Sequence, residues 1–229
     1  MHSAERAGFI AVMGLAGILS KGGPVVAVLL LMSVAALAIV LAKLAEFRRL
    51  KLRRLELIGP VEEAVKAGAP ESALRLLSAS VNPVARVLEA AIVSGNEAEV
   101  ARVGSAELGL LESRLRGLAV IAHTSPLLGL LGTVMGMITA FMNIERSGAM
   151  VDPSVLSAGI WQALVTTALG LVVAIPSLAA FHLLEGEVDR LRAAMSDAAV
   201  RVLLATGAKA GAVAGGLGRA RAAGEDYGV

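Results

Sequence analysis

The chain has 229 residues, of which 56% are hydrophobic and 17% charged, with a mean hydropathy of +0.76 and a formal net charge of +2. A soluble globular domain carries about 25% charged residues, so the composition points to a membrane protein. Six aromatic residues leave no stacking platform for nucleic-acid bases. The absence of cysteine excludes a disulfide framework, a thiolate nucleophile and a cysteine metal site, and His2, His123 and His182 are too far apart for a local metal motif.

In chain order, residues 1–21 contain an uncharged run, Ala7 to Leu19, too short to span a bilayer. Glu5 in the leading segment and the lack of an A-x-A site argue against a cleaved signal peptide. The segment reads as a helix in the outer, periplasmic interface, with a cleaved leader as the other reading. Gly22 to Ala42 is a run of 21 uncharged residues, Gly117 to Asn143 one of 27 and Pro153 to Leu184 one of 32. About 20 apolar residues cross a hydrocarbon core, so 22–42, 117–143 and 153–184 are predicted transmembrane helices.

Lys43, Arg48, Arg49, Lys51, Arg53 and Arg54 follow the first span, Arg114 and Arg116 precede the second, and Arg190 and Arg192 follow the third. The loop 144–152 holds a single arginine, Arg146. Lysine and arginine mark the cytoplasmic side. The segments 43–116 and 185–229 are therefore expected in the cytoplasm, with the N-terminus and the 144–152 loop in the periplasm.

The cytoplasmic insert 43–116 is predicted helical. Asn82-Pro83 is an N-cap with proline at the first helical position, Gly95 closes that helix, and Pro70 opens a shorter one. Leu184, Val188, Leu191, Met195, Ala198 and Val202 are spaced 4, 3, 4, 3, 4, and Ala101, Gly104, Leu108, Leu111, Leu115 and Leu118 are spaced 3, 4, 3, 4, 3. Such a/d stripes extend spans two and three as packed helices, either against each other or against the helices of 46–95. An antiparallel arrangement brings Arg114 and Arg116 to the depth of Glu185, Glu187 and Asp189, where opposite charges would pair. The cytoplasmic helix 185–206 ends in a tail, 207–229, with 7 glycines in 23 residues, read as disordered. The fold class is thus all-α: a membrane protein with three transmembrane helices and long cytoplasmic helical extensions.

The second and third spans carry small residues in register. Gly129, Gly132, Thr133, Gly136 and Ala140 form one stripe, and Ala163, Thr167, Gly170 and Ala174 another. Small residues let helices approach until their backbones nearly touch, and the approaching helix is either a partner's or another span of the same subunit. Thr133 and Thr167 each lie about midway along a span, with Thr166 and Gln162 beside the latter. Membrane threonines often bond a carbonyl of their own helix. Two hydroxyls at similar depth, in two such stripes, also suit the wall of a polar passage.

Neither span contains Asp, Glu, Lys or Arg. A proton relay through the membrane needs a titrating group, so any such carboxylate must come from another polypeptide. Its burial at mid-bilayer costs roughly 2.5–3.5 kcal/mol on insertion scales, which surrounding hydroxyls would offset. Pro126 and Pro176 each remove a backbone hydrogen bond and are predicted kink positions, as static bends or hinges. Nothing resembles a nucleophile–base set, a metal cluster or a phosphate loop, so an enzyme and a cofactor are not expected.

The motifs SPLLGLLGTVMGMITAF at 125–141 and GIWQALVTTALGLVVAIPSLAA at 159–180 resemble the MotA/TolQ/ExbB proton-channel family, on its ExbB/TolQ side. The three-span layout and the large cytoplasmic insert match as well, over roughly residues 20–205. The resemblance implies an inner-membrane motor subunit forming a homo-oligomeric bundle of five copies around a central cavity. That cavity holds single-span ExbD/TolR-like helices whose aspartate carries the proton, and the complex drives a TonB- or TolA-like protein. It also implies that Thr133 and Thr167 line the cavity, with Thr166 and Gln162 nearby, and that Gly129, Gly132, Gly136, Ala163, Gly170 and Ala174 pack closely around the partner helix. One departure is Gln162, where ExbB and TolQ proteins commonly carry a glutamate; glutamine cannot titrate. The competing reading is a passive membrane scaffold that assembles partners without ion flow.

Overall fold

The computed structural model describes residues 2–50, 52, 55–147 and 153–207. Lys51, Arg53 and Arg54 of the basic cluster, residues 148–152 of the predicted periplasmic loop and the tail beyond Gly207 lie outside the described residues. All regular structure among the described residues is α-helical: α1 His2–Arg49, α2 Ile58–Lys66, α3 Pro70–Ser78, α4 Pro83–Ser94, α5 Glu97–Ser147 and α6 Pro153–Ala205. Three of them are long and apolar enough to cross a membrane.

α1 is broken at Gly23, whose φ of 68° and ψ of −171° lie outside the helical region. A residue with a Cβ is strained there, and Pro24 follows as the first residue of the second helical piece, where its missing N–H costs nothing. The break at Gly23 lies at the second residue of the predicted span 22–42. α5 and α6 are each one helix through the predicted span and its extension, and helical assignment runs unbroken past Pro126 and Pro176.

The chain divides into two compact units. The first takes Met1–Val40 and Arg116–Phe181, and the second takes Leu41–Leu115 and His182–Val229. In the first unit, size and burial are inverted relative to a soluble core. Buried positions include Ala36, Ala122, Ser125, Ala140, Ala163, Thr166, Ala174 and Ser177, while Leu31, Leu37, Leu127, Leu130, Phe141, Trp161, Leu164 and Ile175 are exposed. Small side chains between helices and large apolar ones outside are what lipid-immersed helices use, because association there depends on close packing rather than on burial from water.

The second unit has an ordinary core. Both predicted stripes are buried: Leu184, Val188, Leu191, Met195, Ala198 and Val202 on α6, and Leu108, Leu111 and Leu115 on α5. Ala101 is half-buried. Ion pairs join α5 to α6 through Glu112–Arg192, α5 to α4 through Glu107–Arg86 at 2.6 Å, and α6 to α2 through Arg201–Glu62 at 3.4 Å. The two helices therefore lie beside each other and beside the small helices, so both packings considered from the sequence coexist.

The caps are as predicted. Asn82 accepts from the Val84 N–H at 3.0 Å, Pro83 opens α4, and Gly95 closes it in the left-handed conformation at φ 56°. Pro70 opens α3 in the same way.

The predicted charge pairing needs correction. The ion pair linking α5 to α6 has the acid on α5 and the base on α6, Glu112 with Arg192, the reverse of the expected polarity. Arg192 also binds Asp189 at 2.8 Å. Arg114 lies 3.7 Å from Glu46 on α1, a carboxylate that the comparison of α5 with α6 left out. Glu185 meets His182 at 3.3 Å and Glu187 meets Arg190 at 3.2 Å, one helical turn away on their own helix. Arg116 is exposed and belongs to the first unit.

Lys66, bonded to Glu62 at 2.6 Å, holds that carboxyl below the ordinary carboxylate range, against an opposing push from burial and with help from Arg201. A depressed folded value means the contribution is complete above the ordinary range and is lost as pH falls through the lowered value.

Leu88 is fully buried on α4, whereas neighbouring Glu89 is exposed. Leu88→Ala is expected to cost about 2–5 kcal/mol and to lower the melting temperature of the detergent-solubilised protein. Glu89→Ala is expected to leave that temperature unchanged.

Candidate functional site

The site is built where the second and third spans meet in the first unit. A Cβ added to Gly129 on α5 would lie 3.0 Å from the Thr166 carbonyl oxygen and 3.1 Å from the Thr167 Cα on α6. One added to Gly132 would lie 2.6 Å from both Cβ and Oγ1 of Thr166. At Gly136 the neighbour is Ala163 Cβ at 3.3 Å, and at Gly170 it is the Ser125 carbonyl oxygen at 2.7 Å, with Gly129 Cα at 3.0 Å. The contacts run 129 with 170, 132 with 166 and 136 with 163, so the helices are antiparallel and their backbones touch.

Of the two approaches left open by the sequence, the chain shows the one within the subunit: Gly129, Gly132, Gly136, Ala163 and Gly170 face the neighbouring span, and Ala174, on the same stripe, is buried with them. The physical reason is connectivity. A short loop makes sequential helices antiparallel neighbours, and two glycine-bearing faces leave no side-chain layer to hold them apart.

The hydroxyls follow from this contact. Thr166 is buried against Gly132 and donates to the Ala163 carbonyl at 2.7 Å. Thr133, half-buried, donates to the Leu130 carbonyl at 2.6 Å. Thr167 donates across the interface to the Gly129 carbonyl at 3.2 Å. In an α-helix that same oxygen accepts from the N–H four residues on, which is Thr133. The Thr167 hydroxyl thus shares the Gly129 carbonyl with the Thr133 backbone N–H, while the Thr133 hydroxyl goes to Leu130. Gln162 is half-buried, and its amide nitrogen would lie 3.2 Å from a Cβ built on Gly23, placing it against the break in α1.

The prolines sit beside serine hydroxyls that bond a carbonyl one turn back on their own helix. Ser177 donates to Val173 at 2.7 Å next to Pro176, and Ser125 to Ile121 at 2.6 Å next to Pro126. Among the described residues no group of three or more His, Asp or Glu could hold a metal ion.

The sequence profile of the MotA/TolQ/ExbB proton channel family matches residues 73–197, which include both small-residue faces and all four polar residues of the site. The biopolymer transport protein ExbB of Salmonella typhimurium is 34% identical over 190 residues, covering 77% of this chain and 78% of that protein. The chain belongs to the MotA/TolQ/ExbB family. Its likeness falls on the ExbB/TolQ branch. The Tol-Pal system protein TolQ of Haemophilus influenzae is 38% identical over 102 residues, 44% of this chain. An ExbB homolog of Methanothermobacter thermautotrophicus is 34% identical over 140 residues, 58% of this chain and 49% of that relative, so this match spans about half the relative's length. Family membership and three apolar helices make the chain a multi-pass membrane protein.

Sequence reasoning missed two participants in this contact and one buried charge in the second unit. Ser125 and Gly159 extend the two stripes by one turn, and continuing the four-residue spacing from Gly129 and Ala163 would have found them. Lys43, taken as one of several topogenic charges, is fully buried, with Nζ 3.0 Å from Glu46 and 5.8 Å from the centre of the Phe47 ring. No spacing rule signals that burial.

Gly132→Ala forces a Cβ onto Thr166 and is expected to destabilise the span pair by about 1–3 kcal/mol, as overpacking does. Gly109→Ala, where a Cβ meets nothing within 4 Å, is expected to be neutral or stabilising. Melting temperatures of the two variants in detergent check this.

Proposed function

We propose that this chain is the wall-forming subunit of a proton-driven motor in the bacterial inner membrane, with its N-terminus in the periplasm and its C-terminus in the cytoplasm. Five copies surround single-span helices of an ExbD/TolR-like partner, whose intramembrane aspartate carries the proton. The cycle works on the envelope through a TonB- or TolA-like protein. The exposed apolar faces of α1, α5 and α6 meet lipid and neighbouring copies, and the second unit with α2–α4 forms the cytoplasmic extension.

One observation supports this reading above the others. The Thr133 and Thr167 hydroxyls, bonded to the Leu130 and Gly129 carbonyls, lie beside the α5–α6 contact on spans that contain no Asp, Glu, Lys or Arg. A wall of hydroxyls without its own acid suits a passage whose titrating group arrives on another chain. Because the glycine faces are occupied by α5–α6 packing, the partner helix meets the flank bearing Thr133 and Thr167 instead. Gln162 supplies hydrogen bonds at the same wall but cannot move a proton through its own titration. Thr166, held behind Thr167, acts as packing support.

The test is co-expression with an ExbD/TolR-like single-span protein from the same genome, followed by reconstitution into vesicles under a proton gradient. The wild-type complex is expected to conduct protons. Thr133→Val with Thr167→Val is expected to preserve complex mass while lowering flux about tenfold or more, the effect of losing roughly 1.4 kcal/mol at the barrier. Full flux in the double variant would refute the lined passage, and a stable wild-type complex without flux would make the chain a scaffold.

A further inference from the structure

We propose that the last turns of α1 form a docking site for an anionic phospholipid, with Arg48 and Arg49 holding its phosphate and an acyl chain lying along Leu44 and Leu41. The inference goes beyond the proposed function and takes from it only the orientation, which sets this end of the span at the cytoplasmic leaflet.

The stretch from Leu41 to Arg49, all of it in the second unit, has two unlike sides. Lys43 is fully buried, Glu46 and Phe47 are half-buried, and the three recur at helical spacing. Leu41, Leu44 and Arg48, also spaced by three and four residues, form the other side. Leu41 is 58% exposed and Leu44 40% exposed, and Ala45, Arg48 and Arg49 are exposed beside them. In water this arrangement would be upside down, with a lysine inside and leucines outside. Against a bilayer it is ordered by depth. At 1.5 Å per residue, Arg48 lies about 6 Å beyond Leu44 and about 10 Å beyond Leu41 along the axis. One lipid molecule reaches all three, its chain on the leucines and its phosphate on the arginine.

The charges on this side have no counter-ion within the protein. Glu46 is the single carboxylate of α1 between Pro24 and Arg49, and it is engaged with Lys43 at 3.0 Å and Arg114 at 3.7 Å. Elsewhere in the second unit Lys66, Arg86, Arg102, Arg190, Arg192 and Arg201 each pair with an acid. Among the described residues Arg48 and Arg49 pair with none. The carbonyl end of the helix favours cations there but supplies no full negative charge. A guanidinium fork matches phosphate oxygens two at a time. Two adjacent forks left uncompensated favour a headgroup with net negative charge over a zwitterionic one, whose own cation offsets its phosphate.

The experiment is native mass spectrometry of the purified full chain in detergent, titrated with dioleoylphosphatidylglycerol or dioleoylphosphatidylcholine. The wild type is expected to bind its first phosphatidylglycerol per chain about tenfold more tightly than phosphatidylcholine. Arg48→Gln and Arg49→Gln are each expected to lower phosphatidylglycerol affinity about fivefold, the worth of one basic residue at an anionic surface, and to leave phosphatidylcholine affinity unchanged. Both positions are exposed and glutamine is a comparable helix former, so the fold is retained. Arg48→Lys with Arg49→Lys is expected to keep the preference, because the charge remains. Arg75→Gln, which removes an exposed arginine from α3, is expected to change nothing. A wild type without the preference, or a preference that survives Arg48→Gln with Arg49→Gln, overturns the inference. If a second copy covers this face instead, the double glutamine variant changes the number of chains per complex and leaves lipid selectivity as it was, which also overturns it. The measurement uses no gradient, partner protein or membrane orientation, so its failure leaves the proposed function standing, and absence of proton flux leaves this inference standing.

Discussion

The approach of α5 to α6 at Gly129 and Gly170, close enough that a single added carbon at either would strike the other helix, is the constraint on which the rest of the membrane unit depends. Between helices in lipid there is no gain from excluding water, so contact must come from dispersion and from hydrogen bonds reached at short range. Glycine supplies that range. Once the backbones touch, the Thr167 hydroxyl reaches the Gly129 carbonyl and the Thr166 methyl and hydroxyl fill the space beside Gly132. The polar features of the site are consequences of a steric one.

The same steric economy explains why the first unit looks inside out. Most of its buried positions are alanine, glycine, serine or threonine, with Val26, Leu29 and Leu118 among the exceptions, while most of its leucine, isoleucine and phenylalanine side chains face outward. A soluble protein could not tolerate that surface, and a membrane-embedded subunit has no reason to avoid it. Every described hydroxyl of the membrane-spanning part of α5 for which a bond is resolved gives its proton to a carbonyl one turn back, which keeps polar groups satisfied without a partner. Thr167 on α6 departs from that habit by crossing to the other helix.

In the second unit the balance is different. Leucine and methionine fill a conventional core, short helices are opened by proline and Asn82 and closed by Gly95, and charges are paired across helices. Lys43 stands at the far end of the first span as a fully buried cation whose neighbour, Glu46, also takes Arg114. A buried charge is tolerated only with such company. Glu46, through Arg114, links the departing end of α1 to α5 by charge where the first unit uses close packing.

What the sequence by itself determined were properties set by neighbours along the chain. The three apolar runs, the caps at Asn82 and Gly95, the heptad-like stripes and the absence of acid from spans two and three are local or periodic, and periodicity survives without knowledge of partners. Family membership was legible for the same reason, since its motifs are contiguous. The tertiary structure decided what lies opposite each face. It set the glycine stripes against each other within the chain, gave Arg114 to Glu46 rather than to the acids of α6, buried Lys43, and carried the Thr167 hydroxyl across to the Gly129 carbonyl. Those pairings join residues distant in the chain, and a side chain's periodicity states which way it points but not what it will meet.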